Sequence, residues 1–144
     1  MKISILNGPN LNKLGTRNPE HYGSNTLQDI EEKLQDTYPD DELVFFQSNR
    51  EGELVEAVQA LVESDVDGLL ANFAAYSHSS IAIRDAVELL NIPFVEVHLS
   101  NIHAREGFRE QTLTGSLADG IITGFESQSY ILGMQALRHL VTGQ

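Results

Sequence analysis

The chain has 144 residues, 41% of them apolar and none of them cysteine, and its 21 acidic side chains against nine basic ones give a net charge of −12. That length is the usual size of one domain and buries about two-thirds of the unfolded surface, so a single domain over residues 1–144 is expected. The charge argues against nucleic acid or an anionic membrane as partner. The lack of cysteine excludes disulfides and thiolate metal sites, and with no long apolar run or signal cleavage site the chain reads as soluble and cytoplasmic.

In chain order, short apolar runs bounded by turn residues recur at Ile3–Leu6, Leu43–Phe46, Gly68–Ala71, Pro93–Val97 and Gly120–Thr123, and each reads as a strand. Between the first two, residues 7–25 form the one connection long enough to suggest a lid. A helix follows, with apolar residues at Leu27, Ile30 and Leu34, Thr26 as its N-cap and Asp29 completing a capping box. Leu54, Val58 and Leu61 repeat the helical spacing before the third strand. Ser79–Leu90 forms the helix after it, and Tyr130, Met134, Leu137 and Val141 mark a final one. Strands this short and uniformly apolar predict a five-stranded parallel sheet covered on both faces by helices, an α/β three-layer sandwich of flavodoxin-like order 2-1-3-4-5.

In such a sheet ligands bind beyond the carboxyl ends of the strands. Strand 1 runs into Asn7-Gly-Pro-Asn10, strand 2 into Gln47-Ser48-Asn49-Arg50, strand 3 into Asn72 and onward to His78, and strand 4 into His98-Leu-Ser100-Asn101. Asn and Ser are common at any strand end, but four polar ends along one edge favour a polar pocket. The period of two puts Glu96 and His98 on the same face of strand 4, so the carboxylate can orient the imidazole or favour its charged form. A strand-end histidine is often only a hydrogen-bonded structural residue; Ser100, Asn101, Arg105 and Arg109 close behind His98 favour function. His78 is balanced between a helix-start residue and an anion contact at a helix N-terminus. Arg105 and Arg109 would point the same way on a helical turn, either as a solvated basic face or as a carboxylate clamp.

Several chemistries lack their signatures. Neither G-x-G-x-x-G nor a P-loop follows any strand, and no G-x-S-x-G elbow accompanies Ser77, Ser79 and Ser80. The five histidines show no H-x-x-x-H spacing, which leaves a metal site weak. Of the three lysines only Lys13 lies near the strand ends, so Schiff-base chemistry is a poor fit. Acid/base work without a cofactor remains. A tyrosine serves as a base near neutrality only as its phenolate, which an adjacent cation favours, and Arg17 lies five residues from Tyr22 in the same glycine-bounded loop.

The segments Ile5-Leu-Asn-Gly-Pro-Asn-Leu-Asn12, Leu14-Gly-Thr-Arg17 through Tyr22-Gly-Ser24, Phe46-Gln-Ser-Asn-Arg-Glu-Gly-Glu53, Asn72 through Ser80 and Glu96-Val-His-Leu-Ser-Asn-Ile-His-Ala-Arg-Glu106 closely resemble type II 3-dehydroquinate dehydratase, over essentially the whole chain. The resemblance implies a flavodoxin-like fold, a homododecamer built as a tetramer of trimers, and the third step of the shikimate pathway. That step dehydrates 3-dehydroquinate to 3-dehydroshikimate by anti elimination through an enolate, without metal, cofactor or Schiff base. Carried over by position, the resemblance makes Tyr22 the proton acceptor, Arg17 the cation that stabilises its phenolate, His98 the proton donor to the departing hydroxyl and Asn10 the holder of a water against the enolate oxygen. It places Asn72, His78, Asp85, Leu99, Ser100 and Arg109 at substrate-binding positions, with Asp85 reaching the site of a neighbouring subunit. Departures are small: Ala74, Ser77 and Ser79 stand where Gly or Ala, Thr and Thr are usual, and Phe73 replaces a small residue or proline. His21 takes no role. The alternative from another class is a catalytically silent flavodoxin-like module that binds a polyhydroxy carboxylic acid.

Overall fold

The structure is a computed structural model that describes residues 1–16 and 18–143. Five strands, β1 (Lys2–Asn7), β2 (Glu42–Gln47), β3 (Gly68–Asn72), β4 (Phe94–His98) and β5 (Gly120–Thr123), form one parallel sheet in the order β2-β1-β3-β4-β5. All five expected strands are present to within a residue or so, in the expected order.

Two cores follow from the period-two alternation of the strands. Ile3, Ile5, Leu70, Val95 and Val97 pack on one face against Ile30 and Leu34 of α2 (Leu27–Thr37) and Tyr130, Met134 and Leu137 of α6 (Gln128–Thr142). Leu6, Leu69, Ala71 and Phe94 pack on the other against Leu54, Val58 and Leu61 of α3 (Glu51–Leu61) and Ile83, Ala86 and Val87 of α5 (Ile81–Val87). Helix α2 starts as its sequence dictates: Thr26 Oγ1 accepts from Asp29 N–H, and the Asp29 carboxylate accepts from Thr26 N–H.

Three expectations are corrected. Only β1, β3 and β4 are sealed on both faces. The edge strand β2 alternates, leaving Val44 and Phe46 exposed, and Ile121 of β5 is exposed too. An edge strand lacks a neighbour over which a helix layer extends, so uniform apolarity there did not imply burial. The segment Ser79–Leu90 is not one helix. A single turn, α4 (Tyr76–Ser79), precedes α5, whose N-cap is Ser80, its hydroxyl accepting from Ile83 N–H. His78 therefore sits inside α4 and not at the start of a helix. Within residues 7–25, Leu11–Lys13 form a 3-10 turn, and α1 (Pro19–Tyr22) is capped by the Asn18 side chain with proline at its first position, where the missing N–H costs nothing. Lastly, 3-10 turns at Ile102–Ala104 and Gly107–Arg109 replace the single helical turn that would have aligned Arg105 with Arg109.

Helix α6 lies against the sheet through Gly133, where a Cβ would come within 2.6 Å of Val97 Cγ1 and 2.7 Å of Leu70 Cδ1. Gly133→Ala gains helix propensity yet overpacks this contact, so a net loss of about 2 kcal/mol is expected. It is read as a lower urea midpoint at unchanged m-value; an unchanged or higher midpoint would show that the helix shifts without cost.

Candidate active site

The polar ends of β1, β3 and β4 meet in one open cleft, whereas residues 47–50 after β2, expected to join them, do not line it. Its lining comes from the loop after β1 (Pro9, Asn10, Leu11), from Tyr22 of α1, from Asn72 at the end of β3 with Ala74, Ala75 and His78 beyond it, and from His98, Leu99, Ser100, Ile102, Arg105 and Arg109 after β4. Of the ten positions singled out by the resemblance, Asn10, Tyr22, Asn72, His78, His98, Leu99, Ser100 and Arg109 are thereby brought together. Arg17 lies outside the described residues. Asp85 is elsewhere, exposed on α5 and 3.7 Å from Arg84. Phe73 does not reach the cleft; it is fully buried, its ring edge-on to Phe94 at 6.1 Å. His21 lines not the cleft but an adjoining recess, with Glu20, Asn101 and Glu126, that shares Leu99, Ser100 and Arg105 with it.

The backbone is shaped to bring these groups together. Asn10 takes a left-handed conformation (φ 69°) and its N–H donates to the Asn49 side chain, while Ala74 is left-handed too (φ 53°). Such residues cost strain energy that the surrounding structure offsets, and they concentrate at functional sites. Asn72 is oriented by two contacts. Its Oδ1 accepts from Ala74 N–H, and its Nδ2 donates to the Tyr130 hydroxyl at 3.1 Å, which in turn donates to Asn7 Oδ1 at 2.5 Å. Burial pushes the Tyr130 phenol far above its ordinary range, so it stays a neutral donor. Nothing in the spacing of Tyr130 distinguished it from a purely apolar core residue.

His98 and Glu96 behave as their shared face predicted: His98 Nε2 donates to Glu96 Oε2 at 3.0 Å, and both are buried. The His78 ring stacks on His98 at 5.7 Å, and its Nδ1 donates to the Gln111 carbonyl at 2.8 Å. Burial, aided by the charges of His98 and Arg109, lowers the pKa of His78 below the histidine norm. Its protonated form is therefore disfavoured in the fold, and it is a neutral hydrogen-bonding group near pH 7. Both arginines reach the cleft without sharing a helix. Arg105 Nη1 donates to Ser100 Oγ at 3.2 Å, and its guanidinium lies 5.1 Å from the Tyr22 ring centroid. Arg109 Nε donates to Glu106 at 2.6 Å, an ion pair that holds the Glu106 carboxyl below its usual range.

Among the described residues no group of three or more His, Asp and Glu could hold a metal ion, and no helix is long and apolar enough to cross a membrane.

Known proteins resemble this chain over nearly its whole length. The family model described as dehydroquinase class II matches residues 1–138. The 3-dehydroquinate dehydratase of Geotalea daltonii is 52% identical over 139 residues, 95% of this chain and 96% of the relative. That of Hydrogenovibrio crunogenus is 50% identical over 136 residues, 93% and 94% of the two chains. The crystal structure of the type II dehydroquinase from Butyrivibrio crossotus superposes with a TM-score of 0.92 at 35% identity, covering 96% of this chain and 97% of that one. The chain belongs to the class II dehydroquinase family.

Proposed function

We propose that this chain dehydrates 3-dehydroquinate to 3-dehydroshikimate, the third step of the shikimate pathway, without metal or other cofactor. The observation that carries this reading is the convergence of Asn10, Tyr22, Asn72, His78, His98, Leu99, Ser100 and Arg109 on one cleft, added to the family membership. Tyr22, as phenolate, takes the proton beside the ketone, and Arg17 supplies the cation that favours the phenolate. The electrons move onto the ketone oxygen, and Asn10 holds a water against the enolate that forms. Collapse of the enolate expels the hydroxyl on the opposite face as His98 protonates it.

Binding divides among the remaining residues. The Ser100 hydroxyl and the backbone at Leu99 and Ser100 meet the substrate carboxylate, and Arg109 adds a cation. His78, neutral and with Nδ1 committed to Gln111, contacts a substrate hydroxyl. The amide of Asn72 is fixed with Oδ1 on Ala74, so it offers the substrate an N–H. Asp85, exposed on α5, reaches the cleft of a neighbouring subunit in a tetramer of trimers, and the enzyme works in the cytoplasm. Sedimentation at a dodecamer's mass supports that assembly, and a monomer overturns it.

The test is incubation of the purified protein with 3-dehydroquinate while the absorbance of the conjugated enone product is followed. Appearance of the enone, undiminished by exhaustive chelation and by borohydride, is the expected result. Binding without turnover would instead identify a silent module.

A further inference from the structure

The segment after the Gly107–Arg109 turn carries two threonines to which no role attaches so far. Glu96 is fully buried, yet its carboxylate is not left to His98 alone. Thr112 Oγ1 donates to Glu96 Oε2 at 2.7 Å, and Thr114 Oγ1, itself fully buried, donates to Glu96 Oε1. The Thr112 hydroxyl accepts from Gly115 N–H at 3.0 Å, which aims its single proton at the carboxylate in preference to the Ser77 carbonyl at 3.3 Å. The approach is close enough to demand glycine at 115, where a Cβ would lie 2.7 Å from Glu96 Oε2.

The donors around Glu96 fix which nitrogen of His98 faces it. Glu96 receives two O–H donors and one N–H, so both of its oxygens act as acceptors. His98 Nε2 must then carry a hydrogen, and Nδ1 is the nitrogen that presents a proton to the cleft. The other charged groups facing the pair are His78, stacked on His98, and the cations Arg105 and Arg109 along the same wall.

We infer that Thr112 and Thr114 are positioning residues for the proton donor, acting through Glu96 to keep His98 in its Nε2–H form with Nδ1 toward the substrate. This rests on the proposed dehydratase reading, and its test distinguishes the two. Removing a hydroxyl leaves the buried carboxylate short of a donor. The pair then binds its second proton more tightly, but draws the Nε2 hydrogen onto Glu96 and leaves the cleft-facing Nδ1–H on a neutral imidazole, a weaker acid than the imidazolium. Thr114→Val should therefore lower kcat about tenfold or more, with KM within about twofold, and move the alkaline limb of the kcat profile to higher pH. Thr114→Ser, which keeps the hydroxyl, should restore both. In imidazole nitrogen NMR, wild-type His98 should be the Nε2–H tautomer at alkaline pH and carry hydrogen on both nitrogens once the pair takes its second proton, whereas the Thr114→Val protein should then show admixed neutral Nδ1–H.

A wild type that turns over but holds His98 as Nδ1–H overturns the inference. So does a Thr114→Val protein with an unmoved alkaline limb, or a kcat loss equal in Thr114→Ser. Should Thr114→Val not fold, Thr112→Val carries the same kinetic comparison. A wild type that yields no enone defeats the dehydratase reading itself, while the tautomer measurement still tests the threonines.

Discussion

Tyr22→Phe should lower kcat by about a thousandfold or more while leaving the fold intact. On the proposed mechanism, removing one hydroxyl deletes the base but not the ring, and positioned general bases contribute roughly a hundred- to ten-thousandfold. The ring is half-buried on the cleft wall, with the Arg105 guanidinium 5.1 Å from its centroid, a cation–π contact that phenylalanine retains. KM should change little, because the proton is transferred in the transition state and not on binding. Enone formation gives kcat, and the thermal midpoint checks the fold. An undiminished rate with Phe at position 22 would remove Tyr22 from the chemistry and leave the base unassigned.

Gly8→Ala should be the most damaging small substitution in the chain. Gly8 sits where the loop after β1 meets the loop after β3, and its N–H donates to the Asn72 carbonyl at 2.8 Å. A Cβ there would lie 2.3 Å from the Phe73 carbonyl oxygen and 2.5 Å from its carbon. These are backbone atoms, which have no alternative rotamer. The two loops must part, which separates Asn10 from Asn72 across the cleft. A destabilisation of about 3 kcal/mol and a loss of activity larger than the loss of folded protein are expected. Urea unfolding combined with kcat/KM measured on the folded fraction separates the two. Wild-type kcat/KM per folded molecule would show that the cleft does not depend on this contact.

Local pattern made most of the sheet and half of the site legible. Alternation placed Glu96 and His98 on one face, strand-end composition picked out Asn10, Asn72 and Ser100, and the Thr26–Asp29 capping box is present. These signals act within a few residues and survive folding unchanged. What stayed hidden depends on contacts between distant parts of the chain. Thr112 and Thr114 have no periodic signature and gain meaning only because residues 112–115 fold back over β4. Tyr130 reads as one position of an apolar stripe, yet its hydroxyl bridges the ends of β1 and β3. Spacing suggested a shared helical face for Arg105 and Arg109, whereas 3-10 turns bring both into the cleft by another route. Exposure of Val44 and Phe46 followed from the place of β2 at the sheet's edge, which its own residues do not encode. The role proposed for Asp85 comes only from the resemblance.

The placement of charge has a kinetic consequence. Of nine basic side chains in a molecule of net charge −12, Arg105 and Arg109 stand on one wall of one cleft, beside two histidines. Beyond a Debye length, about 8 Å at physiological ionic strength, a carboxylate substrate feels little field, and closer in it meets net repulsion over most of the surface. It meets attraction only at the mouth. Attraction confined to that range is felt by a molecule already colliding with the right patch, so the protein captures by contact instead of steering from afar. Added salt then weakens the outer repulsion over long distances before it weakens the short-range pull. Moderate ionic strength speeds encounter with this anion, the reverse of the behaviour of an enzyme whose whole surface attracts its substrate.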